Sequence, residues 1–141
     1  MEKVANILLV EDDSLDIINV ERALKKIGIN HKLYIARNGI EALSLLRGEG
    51  VEKIDPAPSI IMLDINMPKM DGFEFLINLR NDEALKNIKV FIMTTSSQEV
   101  DKSKAKKLGV SGYIIKPLNY NNTSSSIDSF NLFIDLLNLK K

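Results

Sequence analysis

Four short apolar runs in this chain each end in a group able to do chemistry. ILLV (7–10) leads into Glu11, Asp12 and Asp13, and SIIML (59–63) into Asp64. FIM (91–93) leads into Thr94, Thr95 and Ser96, and GYII (112–115) into Lys116 and Pro117. Clustered carboxylates repel one another, and at neutral pH some take up protons unless a cation shares the site. An all-oxygen donor set suits a hard ion such as Mg²⁺, which keeps several waters and takes one or two carboxylates plus a phosphate oxygen. A lysine facing the acids supplies a positive point charge, and a threonine hydroxyl supplies a donor. Together they would cradle a phosphoryl group and neutralise charge as it develops in transfer. A carboxylate can itself attack and become an acyl phosphate. Asp64, between the acids and the Thr94/Lys116 pair in chain order, is the natural nucleophile.

Such residues meet only if the apolar runs are strands of one sheet. Ile7–Val10, Ile60–Leu63, Val90–Met93 and Tyr113–Ile115 are short, partly β-branched and without polar alternation, and Lys32–Ala36 is a weaker fifth run. That pattern suits strands buried on both faces of a parallel sheet. Segments of helical period separate them. Ile17, Val20, Ala23, Leu24 and Ile27 form one face, stopped by Gly28. Ile40, Leu43 and Leu46 form a second, with Asn38 as N-cap and Gly48 at its end. Phe73, Leu76, Ile77 and Leu79, with Arg80, form a third, and Val100, Ala105 and Leu108, closed by Gly109, a fourth. Ile127, Phe130, Ile134 and Leu137 form a fifth. Five strand-then-helix units argue for an open parallel sheet with helices on both faces and right-handed crossovers. Its ligand site lies outside the carboxyl ends of the strands. Residues 48–59 read as a surface loop, and 119–126 as poor helix formers before the last helix.

The 141 residues fit one domain, expected to span 1–141. Nineteen basic and nineteen acidic residues give no net charge to favour nucleic acid or an anionic membrane. The absence of cysteine excludes disulfides, thiolate metal sites and a Cys nucleophile, and the single His31 cannot build a multi-histidine metal site. No stretch approaches the ~20 apolar residues of a membrane span, and the acidic flank of ILLV is wrong for a secretory signal. A cytoplasmic address is the default expectation.

Over essentially its whole length the sequence resembles the receiver domain of bacterial two-component response regulators. Glu11-Asp12 after ILLV, Asp64 in LDINMPKMDG, Thr94 after FIM and Lys116-Pro117 in GYIIKP carry the resemblance. Their order and spacing match, with 30 residues from Asp64 to Thr94 and 52 from Asp64 to Lys116. The resemblance implies a flavodoxin-like doubly wound (βα)5 fold, three layers deep, with strand order 2-1-3-4-5. It implies that Asp64 accepts a phosphoryl group from a histidine of a sensor kinase or phosphotransfer protein. Asp12 would ligate Mg²⁺, with Glu11 helping through water and Asn66 through its backbone carbonyl. Thr94 and Lys116 would contact the phosphoryl oxygens. Tyr113 matches the switch aromatic that turns inward, and the Lys116–Pro117 bond is commonly cis. Positions that tune phosphoryl lifetime fall at Asn66 and Ser96. The triplet offers two acid pairs, Glu11–Asp12 and Asp12–Asp13; register from ILLV favours the first, leaving Asp13 as a neighbour or helix cap.

The 48–59 loop, TTS after the fourth strand and the SFNLFIDLL tail also resemble stand-alone receivers paired with bacterial phytochromes. In that group the partner is a light-sensing histidine kinase, and homodimers occur. With no residues beyond the fifth helix, no output domain is expected, so the output would be binding to a downstream protein near Tyr113 or passing the phosphoryl group onward. Three other readings compete. Asp64 alone could cap a helix. A Mg²⁺-dependent phosphatase would need an aspartate as general acid where Asn66 stands. A phosphorylation-independent interaction module would share the fold. A flavodoxin is excluded, because the acids after the first strand would repel a phosphate.

Overall fold

The computed structural model describes residues 5–26, 28–29, 31–65, 67, 70–94, 102–116 and 135. In chain order the elements are β1 (Asn6–Val10), α1 (Ser14–Lys26), β2 (Lys32–Ala36), α2 (Gly39–Arg47), β3 (Ile60–Asp64), α3 (Gly72–Asn81), β4 (Lys89–Thr94), α4 (Lys102–Lys107) and β5 (Gly112–Ile115). The five strands are parallel and ordered β2-β1-β3-β4-β5. This is the flavodoxin-like fold, with β1 and β3 neighbours at the centre. The residues expected in the fifth helix lie outside the described ones, apart from Asp135, which pairs with Lys89 at 3.3 Å.

Alternation along each strand sends side chains to opposite faces. Ile7, Leu9, Ile60, Met62, Phe91, Met93 and Ile114 pack with Ile17, Val20, Ala23 and Leu24 of α1. Leu8, Val10, Ile61, Leu63 and Val90 pack with α2 and α3, around Phe75 and Leu76. Both faces are dry, so β1 and β3 are buried at every position. Burying these apolar side chains contributes roughly 1.5–3 kcal/mol for each large one.

The helix ends follow local chemistry. Asn38 accepts from the Glu41 amide at 2.8 Å, and Gly48 closes α2 at φ 72°, where a side chain would be strained. Asp71 caps α3 through the Glu74 amide at 2.9 Å. Cap duty for α3 thus falls to Asp71 and not to Asp64.

Two helix phases differ from the sequence expectation. Ile40 is 51% exposed, whereas Leu43 and Leu46 are buried as expected and Gly39 and Ala42 join them. In α3, Ile77 is 40% exposed and Phe73 half-buried, while Phe75, absent from the expected face, is fully buried. Both helices carry apolar residues around much of their circumference, so the sheet decides which stripe it covers. The 48–59 connection lies largely at the surface, as expected, but it is pinned: Ile54 is 1% exposed and its amide donates to Leu45 O.

Candidate functional site

The carboxyl rim of the sheet gathers the acids. Continuing the alternation past each strand end, Glu11 follows Ile7 and Leu9, Asp64 follows Ile60 and Met62, and Lys116 follows Ile114. All three therefore belong to the face covered by α1. The backbone holds them in register: Glu11 N donates to Ala36 O at 2.8 Å, Ile65 N to Met93 O at 3.3 Å, and Lys116 N to Thr94 O at 2.8 Å.

Glu11 is 0% exposed and Asp64 4%, whereas Asp12 is exposed. One carboxylate oxygen from each of Glu11, Asp12 and Asp64 lies within 4.8 Å of the others. Lys116 Nζ stands among the buried acids, 2.7 Å from Glu11 Oε1, 3.4 Å from Asp64 Oδ1 and 3.0 Å from Asp16 Oδ2. Glu11 Oε1 meets Lys116 at ion-pair distance but outside hydrogen-bond angles. Burial pushes the Glu11 carboxyl up to about 7; Lys116 opposes that rise and the neighbouring Asp64 adds to it. Burial alone would depress Lys116, yet its contacts with Glu11, Asp16 and Asp64 hold it above the usual lysine value. The ammonium stays charged, while burial first, and Asp64 second, favour the protonated form of Glu11.

Such a donor set fits a hard divalent cation: three carboxylate oxygens converge, one acid faces solvent as an entry, and a 2+ charge would offset both the burial that raises Glu11 and the repulsion from Asp64.

Asp13 has other work. Its Oδ1 accepts from the Leu15 and Asp16 amides at 2.9 and 3.1 Å, capping α1, and it lies outside the three-acid cluster. Thr94 is buried, and by register it shares the opposite face with Ile92 and Tyr113. Tyr113 is half-buried against Ile65, Ile92 and Ala105, on the side of α4. Asn66, Ser96 and Pro117 lie outside the described residues, so the expected metal carbonyl, the second tuning position and the cis Lys116–Pro117 bond fall there too.

A residue that the sequence reading missed is Asp16. It lies 100 positions from Lys116 and pairs with it directly. Its one sequence signal is an acid in the first turn of a helix that starts at the rim.

Gly72 explains the Asp-Gly turn. A Cβ there would come within 2.8 Å of Ile65 Cα and 2.9 Å of Asp64 O. The start of α3 is therefore packed directly on the backbone that presents Asp64. A separate cleft of about 410 Å³, lined by Arg80, Lys86, Lys89 and Lys107 among others, opens at the amino ends of β4 and β5. It is remote from the acids and is no part of this site.

The chain is a doubly wound α/β domain with a three-acid, lysine-capped rim at the carboxyl ends of its strands. Residues 7–128 match the response regulator receiver domain, and the chain belongs to that family. It is 40% identical to response regulator Rcp1 of Synechocystis sp. over 113 residues, which are 80% of this chain and 77% of Rcp1. The Mn²⁺-bound crystal structure of Rcp1 superposes with a TM-score of 0.73 at 35% identity, covering 96% of this chain and 91% of that one. A two-component response regulator from Legionella pneumophila matches at 41% identity and TM-score 0.80, covering 96% and 99%. The phosphorylated cyanobacterial phytochrome response regulator RcpA matches at 34% and 0.74, covering 97% and 91%.

Proposed function

We propose that this chain is a single-domain response regulator, spanning 1–141, that accepts a phosphoryl group on Asp64 and thereby switches its contacts with other proteins. The observation that carries this reading is the buried Lys116 ammonium, bracketed by Glu11 and Asp64 with Asp12 at the open side of the same cluster. In the transfer, an Asp64 carboxylate oxygen bonds to phosphorus as the P–N bond of a phosphohistidine breaks. The imidazole leaves with the electron pair and takes a proton from water. Lys116 would neutralise charge on the phosphoryl oxygens, and the Thr94 hydroxyl would donate a hydrogen bond to one of them.

Glu11, Asp12, Asp64 and the Asn66 carbonyl would hold Mg²⁺, which supplies charge neutralisation of the transferring oxygens. Apart from forming and hydrolysing its own acyl phosphate, the chain turns over no substrate.

The donor would be a histidine kinase, of phytochrome type by likeness to RcpA, or a phosphotransfer protein. The output would be a downstream protein bound near Tyr113, with a homodimer as one such arrangement and neither nucleic acid nor membrane as target. The proposed site of action is the cytoplasm, and no helix among the described residues is long and apolar enough to cross a membrane.

Incubation with acetyl phosphate and Mg²⁺ should add one phosphoryl group to the intact mass of the wild type, and none to Asp64→Asn. An unmodified wild type would favour the phosphorylation-independent interaction module. Tyr113, two register positions from Thr94 and on the same face, is the proposed switch: a beryllofluoride-bound crystal structure should show its ring moved inward, and an unchanged ring refutes that role.

A further inference from the structure

Lys116 has one more carboxylate partner than the acceptor site requires. Its ammonium has three N–H donors and meets three acids: Glu11 at 2.7 Å, Asp16 at 3.0 Å and Asp64 at 3.4 Å. Two of these belong to the cluster able to hold a cation; Asp16 does not. Glu11 and Asp64 come from strand ends, whereas Asp16 reaches in from α1, a different layer. Its approach is fixed on both sides. The Asp16 amide is bound by the Asp13 cap at 3.1 Å, and the next residue, Ile17, is 5% exposed in the core. Lys116 is fixed in turn by its amide bond to Thr94 O and is 9% exposed along its side chain.

An ammonium and a divalent cation compete for the same carboxylate oxygens. If Glu11 and Asp64 were the only acceptors near Lys116, its charge would settle on the atoms the cation needs. A third acceptor outside the cation's donor set changes that balance. We propose that Asp16 is a positioning residue that holds the Lys116 ammonium toward α1, leaving Glu11 and Asp64 oxygens to a divalent cation. The inference rests on the cation site proposed above and adds a residue that governs it.

Calorimetric titration of Mg²⁺ into the full chain, at fixed pH and ionic strength, tests this in a double-mutant cycle. Asp16→Asn should weaken Mg²⁺ binding about fivefold, the size of one partly exposed ion pair. Asp16→Glu, which keeps the charge, should restore most of the loss. In a Lys116→Met background the same Asp16→Asn change should shift affinity by about twofold or less, the screened remainder of a distant charge. Equal losses in both backgrounds would mean that Asp16 acts on the cation directly, and no loss in either would mean that it does not act; either overturns the proposal. Thermal unfolding confirms that each variant folds, and Asp16→Ser substitutes if the Asn variant does not. Acetyl phosphate labelling of the same wild-type preparation separates the two ideas. Coupling without labelling overturns the phosphoacceptor reading and supports the role of Asp16, whereas labelling without coupling does the reverse.

Discussion

Glu11 shows how the site stores unfavourable charge. Its carboxyl titrates near 7 in the folded chain against 4.5 for an ordinary glutamate. The folded state therefore holds a proton that the unfolded chain has released between about pH 4.5 and 7. For this group, metal-free stability is greatest below that window and falls as pH rises through it. Urea denaturation in a chelator at pH 5 and pH 8 should show wild type losing more stability over that rise than Glu11→Gln does. Equal slopes would show that Glu11 ionises normally. Asp64, Glu11 and Lys116 were legible in the sequence because each follows an apolar run directly, so strand alternation carries them to one rim, and Asp12 is the next residue after Glu11. Asp16 was not, since its partner is 100 residues away and only the packing of α1 on the sheet brings them together.

At the scale of elements, the β3–α3 turn sets the acceptor. Gly72 is required by close approach, since its φ is unexceptional while a Cβ would press on Ile65 Cα and Asp64 O. Gly72→Ala should cost about 1–3 kcal/mol, the usual range for overpacking, measured by urea denaturation. It should also slow labelling by acetyl phosphate, because the added methyl displaces the backbone that carries Asp64; an unchanged rate would show that the turn tolerates the shift. The strands could be read from sequence to within a residue or two, since buried parallel strands are nearly all apolar. The first four helices were legible in position, and α2 in its caps at Asn38 and Gly48, but not always in phase. In GFEFLINL, five of eight residues are large and apolar, and only contact with the sheet selects Phe75 over Phe73 and Ile77.

Across the whole molecule, chemistry and anchoring sit at opposite poles. Where the strands begin, Arg80 of α3 donates to four backbone carbonyls: Leu108 at 2.7 Å, Lys86 and Ile88 at 2.8 Å, and Gly109 at 3.2 Å. That one guanidinium ties α3 to the loops before β4 and β5, and burial lowers its pKa without neutralising it. Arg80→Met strands those carbonyls and should cost at least ~2 kcal/mol in urea denaturation, while leaving the acetyl phosphate labelling rate of the folded fraction unchanged. A large loss of rate would mean that the two poles are coupled through α3.

The central claim is that Asp64 becomes an acyl phosphate. Borohydride reduces an aspartyl phosphate to homoserine, so reduction after labelling, followed by peptide mass spectrometry, reads the site directly. The account predicts homoserine at position 64 alone, only when Mg²⁺ and a phosphodonor are both present. Reduction at Asp12 or Asp13, or at no aspartate under conditions that saturate the Mg²⁺ site, would contradict it.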